Sequence, residues 1–407
     1  MPALRQAFVP QPIVNLSREE LRAYVHGDDP VTGRPFMQEV VEALTRPLDA
    51  QAAHGAGFER STPRLMEPAG EDELHRTFLE HGWTDRLPIV LPTEERVEAM
   101  LAGTSRAPGE VVGHMRPTAY REAWELTVEK VAVNAVMAGA RPEYLPVILA
   151  LAATGVSARN SSTSSMAAMV VVNGPIRHEV SMNAGVGAMG PYNHANATIG
   201  RAYGLLSQNL QGGSVPGETY MGSQGNAYAF TNLTFAENEE RSPWRPFHVD
   251  AGYAPGDSTV SVWIGCQATA FVTGVRPRHW RERVRQVLLG IGPSRAPVLL
   301  LDPIAAREFQ ARGPFAAKED LTRWMHENAL IRASEFWDNQ WTQTILRPKA
   351  VLGEEPWATY LGLDDDALVP VFGAEDLRVV VVGGETMATW KAVGGNFAGT
   401  FSVDEWR

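Results

Sequence analysis

Between Asn183 and Arg201 the chain sets three glycines, Gly185, Gly187 and Gly190, one proline, Pro191, and the polar run Asn193, His194, Asn196 and Thr198. Glycine lets the main chain turn through positive φ or approach another group closely, and Pro191 fixes φ where a helix can begin. A helix start carries unpaired N–H groups and a partial positive charge. Asn183, Asn193, His194, Asn196 and Arg201 are therefore candidates for holding an anion or a polar substrate. The glycine spacing also matches the dinucleotide fingerprint. Its context does not: Pro191 interrupts the helix that should open there, and no carboxylate follows until Glu218. No nicotinamide or other cofactor is expected. A glycine-rich turn that only lets two elements pack is the competing explanation.

Acid–base chemistry has its own candidates. Glu237, Glu239 and Glu240 place three carboxylates in four positions, ahead of a proline-rich crossing. A partly buried acid beside other acids has its pKa raised toward neutrality, so Glu237 or Glu239 can serve as a general base; a solvated acidic patch is the alternative. Asp85, just before an expected strand, is another candidate base, or an ordinary turn aspartate. Lys130 and Asn134 are four apart and share a helix face, with Glu129 beside them on an otherwise apolar segment. Polar groups on such a helix must be paired, which fits either a structural Lys–Glu pair or a catalytic role for Glu129 and Lys130. Arg159, followed by Asn160, Ser161 and Ser162, offers charge and hydroxyls to a sulfate, phosphate or carboxylate. At a net charge of -11 the chain repels small anions at long range, so an anion site must gather positive potential locally, from Lys130, Arg159 and oriented N–H groups. Lys349, expected in a loop remote from these motifs, is the natural comparison.

The positioning elements follow from periodicity and punctuation. A strand is expected between Pro88 and Pro92, with a helix after it. Helices are expected over 120–138, over the run after Pro142, and from Pro191 to about Gln211, stopping at Gly212-Gly213. A buried strand should end at Asn173-Gly174-Pro175. Further strands are expected over 258–264, 268–273, 298–301 and 379–382, and helices over 279–289, 304–312, 318–328 and 335–344. This alternation predicts an α/β fold with mixed or parallel sheets covered by helices. The expected organisation is an arm or cap over 1–80, an α/β core carrying the Gly/Asn-rich site over 81–250, and a second α/β region over 251–407.

The composition excludes several function classes. With 407 residues, 44% of them hydrophobic, the chain can bury a large core. No segment supplies the basic face that nucleic-acid binding needs, and no stretch approaches a membrane span. The start lacks the apolar core of a signal peptide, so the expected location is the cytoplasm. The single cysteine, Cys266, sits at a strand end and reads as a buried structural thiol rather than a nucleophile. The ten histidines show no paired ligand spacing, so no metal is expected.

The run from Gly82 to Val97, then 127–139, Val172-Asn-Gly-Pro-Ile, Ala195-Asn-Ala-Thr-Ile-Gly-Arg and Ala236-Glu-Asn-Glu-Glu, resembles the large component of the bacterial UGSC family over residues 80–310. Many members of that family carry or accompany a small domain with a redox-active cysteine or selenocysteine. This chain has no such motif, and Ala140 stands where relatives are expected to have cysteine, which puts a thiol mechanism in doubt. The chain is also similar to the larger subunit of two-component enzymes that close an aziridine ring in azinomycin-type antibiotic biosynthesis. That resemblance implies an amine displacing a sulfate ester within a small, anionic, amino-acid-derived substrate on a carrier protein, with a small partner subunit. Asp85, Glu129, Glu237 or Glu239 would be the base, and Lys130, Arg159, the Ser161–Ser162 hydroxyls and the 183–196 turn would receive the anion. The alternative is a non-catalytic scaffold for a small catalytic or redox partner.

Overall fold

The computed structural model describes residues 5–10, 13, 16–47, 63–114, 125–159, 165–210, 222, 224–266, 269–273 and 278–407. The chain forms two compact units, Met1–Ala69 and Gly70–Arg407. In the first, Ser17 and Glu20 close a capping box at the start of the helix Arg18–His26, and a second helix runs Phe36–Thr45. Neither helix buries a residue.

The second unit is built on two four-stranded sheets. Its strands are β1 (Val111–His114), β2 (Glu125–Thr127), β3 (Ala167–Asn173), β4 (Thr234–Ala236), β5 (Thr259–Cys266), β6 (Thr269–Thr273), β7 (Pro297–Leu301), β8 (Leu330–Arg332), β9 (Leu368–Pro370), β10 (Arg378–Val381), β11 (Thr389–Gly394) and β12 (Asn396–Ser402). One sheet has the order β12-β5-β3-β4 and the other β10-β7-β11-β6, while β1 pairs with β2 and β8 with β9. Each four-stranded sheet contains one parallel pair, β3 with β4 and β10 with β7, and is otherwise antiparallel.

Successive side chains on a strand point to opposite faces, and this period of two sorts the core into layers. On β3, Ala168, Val170 and Val172 face a core with the helices Val128–Met137, Leu145–Ala153 and His194–Leu210. Met169 and Val171 face the other way, into a layer with Trp263 of β5, Val298 and Leu300 of β7, and Val380 of β10. On β7, Leu299 and Leu301 then face the helices Trp280–Ile291, Pro303–Arg312 and Lys318–Asn328. The order is helices, sheet, sheet, helices, a mixed α/β architecture as expected. Both sheets are covered on both faces, which is why β3 is buried at all seven positions. Among the described residues no helix is long and apolar enough to cross a membrane.

The structure corrects several expectations. The run between Pro88 and Pro92 buries Ile89 and Leu91 but forms no strand. Two prolines deny it ladder donors, and Val90 N donates instead to the carbonyl of Met137. The helix expected over 120–138 begins only at Val128, because Thr127 caps it and Glu125–Thr127 pairs with β1; residues 115–124 lie outside the described residues. The helix expected over 335–344 is broken into Ala333–Asp338 and a wider turn at Thr342–Leu346, with Asn339 accepting from Trp341 N at 2.9 Å. Across the expected boundary near 250, β5 and β12 complete the sheet that β3 and β4 begin.

Candidate functional site

Parallel pairing puts the carboxyl ends of β3 and β4 side by side, so Asn173 and Glu237 emerge together. Glu237 is 0% exposed. Its Oε2 accepts from Asn173 Nδ2 and from the Phe247 backbone N–H, each at 2.6 Å, and its Oε1 accepts from Lys318 Nζ at 3.1 Å. Lys318, 5% exposed, reaches Asp250 on its other side at 3.3 Å. Glu239 accepts through Oε1 from Asn173 Nδ2 at 2.9 Å and from Gly174 N at 2.8 Å, and lies 3.0 Å from Arg177 Nε. Arg177 then spans Glu240 with both terminal nitrogens, at 3.3 and 2.9 Å. His248 is fully buried in the same cluster, its Nδ1 4.0 Å from Glu239, and among the described residues neither ring nitrogen has a hydrogen-bond partner.

The four carboxyl groups of Glu237, Glu239, Glu240 and Asp250 are met by three cations, Arg177, Lys318 and Arg245, the last 3.2 Å from Asp250. Burial raises the Asp250 carboxyl pKa above the ordinary aspartate value, with Lys318 opposing the shift. Asp250 and Lys318 face a cavity of about 340 Å³, together with Phe247, Glu319, Arg378 and Phe397. Glu237 does not line it; Glu237 holds Lys318 from behind.

Glu240 carries the opposite shift. The hydrogen bonds from Arg177 hold its carboxyl at about 2, against burial, which works the other way. The folded-state value is depressed, so the pair's contribution is fully present above the ordinary 4.5 and is lost as pH falls toward 2. The Glu240→Gln variant is expected to show a shallower loss of Tm between those limits than the parent, by circular dichroism at low salt. Equal slopes would remove Glu240 from the acid response. The side chain is 54% exposed, so the effect is small and screened by salt.

The 183–196 turn adjoins this cluster. Gly383 N donates to the carbonyl of Ala184 at 2.8 Å, and Asn238 Nδ2 donates to the carbonyl of Gly383 at 2.9 Å. A Cβ on Gly384 would overlap Val186, so the turn and the Gly383-Gly384 bend fit only without that side chain. The turn's amides, however, face inward. Asn183 Nδ2 donates to Asn193 Oδ1 at 2.7 Å and to the carbonyl of Val186 at 2.9 Å. Asn193 Nδ2 donates to the carbonyls of Gly187 and Gly190, and Asn196 exchanges hydrogen bonds with the Asn183 backbone at 3.0 and 2.9 Å. These side chains knit the loop that starts the helix His194–Leu210. His194 is bonded through Nδ1 to the Tyr144 hydroxyl at 3.3 Å.

The remaining candidates form a second network further along that helix. Arg201 grips Asp85 with two hydrogen bonds of 2.9 Å and also donates to the carbonyl of Pro88. Arg159 donates to Gln208 Oε1 and, at 3.2 Å, to the carbonyl of Ala229. Asn134 accepts from Asn209 Nδ2 at 2.8 Å. The anion site was expected to unite the 183–196 turn, Arg159–Ser165 and Lys130, and residues 160–164 of that set lie outside the described residues. Lys130 is exposed, in the first turn of the helix Val128–Met137, and donates to the carbonyl of Glu125 at 3.0 Å. Glu129 stands in the first turn of that helix. Asn160, Ser161 and Ser162 lie outside the described residues. Among the described residues no group of three or more His, Cys, Asp or Glu is placed to hold a metal ion.

The residues that sequence reasoning passed over are Asn173, Arg177, His248, Asp250 and Lys318. Lys318 did leave a signal. It is the first residue of the helix Lys318–Asn328, where the helix dipole disfavours a cation. A lysine there needs carboxylates, and Glu237 and Asp250 supply them. No family model matches the chain, and no curated protein does.

Proposed function

We propose that the protein is an enzyme acting on a carbon–heteroatom bond of a small anionic, amino-acid-derived substrate, and that an amine displaces a sulfate ester within that substrate to close an aziridine, as a step of antibiotic biosynthesis. The observation that carries this reading is that Asp250, Lys318 and Arg378 line one cavity, a carboxyl with a raised pKa beside two cations. Ring closure asks for this set. Asp250 takes the proton from the substrate ammonium, the freed nitrogen lone pair attacks the neighbouring carbon, and the carbon–oxygen bond breaks with its electrons leaving on sulfate. Lys318 and Arg378 receive the departing charge. Glu237 is a positioning residue for Lys318. The resemblance of residues 80–310 to UGSC-type large components supports a small partner subunit, and the resemblance to the larger subunit of the aziridine-forming enzymes supports a carrier-bound substrate.

L-Serine O-sulfate is the simplest probe. The full chain is expected to release sulfate and aziridine-2-carboxylate in equal amounts, followed by ion chromatography and mass spectrometry. Sulfate without the ring product means elimination and removes the cyclisation. No release above the uncatalysed rate, by the chain alone or with its co-purifying partner, removes the sulfate chemistry.

A scaffold role has one observation in its favour: the helices Arg18–His26 and Phe36–Thr45 bury nothing and leave Val41 and Leu44 exposed, as a partner-binding unit would. An Asp250 variant that loses turnover while keeping its partner favours catalysis.

A further inference from the structure

A second cavity, of about 600 Å³, shares Glu375, Arg378 and Phe397 with the smaller one. Its wall is rich in flat rings, Phe336, Trp341, Trp357 and Tyr360 among them. Three cations reach it, and two are already engaged. Arg378 donates to the carbonyls of Glu375 and Leu377, lies 5.1 Å from the Phe397 ring, and feels the carboxylates of Asp376 and Glu375. Lys349 stands in the helix Arg347–Val351, not in a remote loop; it pairs with Glu354 at 3.6 Å and sits 5.0 Å from the Trp357 ring.

Arg295 differs from both. Among the described residues it makes no hydrogen bond or ion pair, and its buried Nε has no partner. Burial lowers its pKa, and the one charge-bearing neighbour acting on it is the Cys266 thiol. Burial pushes that thiol up to about 12, so Cys266 is neutral and offers no counter-charge. A half-buried guanidinium without an anion is costly, and a bound anion relieves that cost.

We propose that this cavity binds an aromatic carboxylate, with the ring among Trp341, Trp357 and Tyr360 and the carboxylate on the guanidinium of Arg295. One uncompensated cation matches a monoanion rather than a phosphate dianion, and the ring-lined wall matches a planar apolar body. The proposal holds whether or not the smaller cavity is a reaction site.

Isothermal titration of the full chain with benzoate, benzyl alcohol and benzylammonium tests it, since the three differ mainly in charge. Benzoate is expected to bind at least about tenfold more tightly than benzyl alcohol, and benzylammonium to give no binding. Arg295→Gln should remove the preference for benzoate and leave benzyl alcohol unchanged, while Trp357→Ala should weaken both. The comparison on the parent chain needs no variant, so it decides the matter even where Arg295→Gln fails to fold. Benzoate binding no tighter than benzyl alcohol, equal affinity for benzylammonium, or parent-like benzoate affinity in Arg295→Gln would each overturn the proposal.

Discussion

Replacing Glu237 by alanine is expected to destabilise the Gly70–Arg407 unit by about 3 kcal/mol or more, the largest stability change at any site candidate. The carboxylate is fully buried and satisfies three donors at once: Asn173 Nδ2, the Phe247 N–H and Lys318 Nζ. Its removal leaves an ammonium in the interior with only Asp250 to face, and leaves two polar N–H groups unpaired. Stranding a buried partner costs its desolvation, well beyond the net worth of the bonds lost. The double variant Glu237→Met/Lys318→Met removes both charges together and is expected to be more stable than the sum of the two single changes predicts, because the residues are directly coupled. Urea denaturation followed by tryptophan fluorescence measures Glu237→Ala, the two single methionine variants and the double variant. A Glu237→Ala cost below about 1 kcal/mol, or additive single and double variants, would mean that Lys318 is hydrated and does not depend on Glu237.

That dependence bears on how much the sequence disclosed. β3, β5 to β7 and the helix Lys318–Asn328 were readable because their signals are local, such as the apolar run closed by Asn173-Gly174-Pro175, whereas the three-residue β4 (Thr234–Ala236) was not expected. β11 and β12 were not readable. Thr389–Gly394 and Asn396–Ser402 are interrupted by glycine and alanine, and they become strands through pairing with β6, β7 and β5, partners more than 85 residues away in the case of β7. The same long range hid the site. Glu237 and Glu239 stood out by density of charge, but their partners come from three separate stretches: Asn173 and Arg177, Phe247 and His248, and Lys318. The asparagines of the 183–196 turn were conspicuous for the opposite reason. A tight loop needs many short-range hydrogen bonds, and side-chain amides clustered in sequence can satisfy one another within it.

Asp250→Asn is expected to lower kcat/KM for sulfate release by about 10²- to 10⁴-fold, the range a positioned general base contributes. The pH profile distinguishes this from a packing defect. A base works only when deprotonated, and burial raises the Asp250 pKa above the ordinary aspartate value of 3.8, so the parent's rate should climb with pH on an acid limb set by this group. Stability runs in the other direction. The folded state holds the Asp250 proton more tightly than the unfolded chain does, so its contribution declines as pH rises from 3.8 through the raised value. Activity is therefore gained where this carboxyl begins to cost stability. Lys318 supplies an independent signature, because it lies 3.3 Å from Asp250 and lowers its pKa. In Lys318→Met the acid limb should move to higher pH, in addition to any fall in maximal rate. An acid limb that persists unshifted in Asp250→Asn assigns the base to another group. A limb that stays in place in Lys318→Met means the two side chains do not share a charge environment, and then the cavity they line has no tuned carboxyl to begin the chemistry.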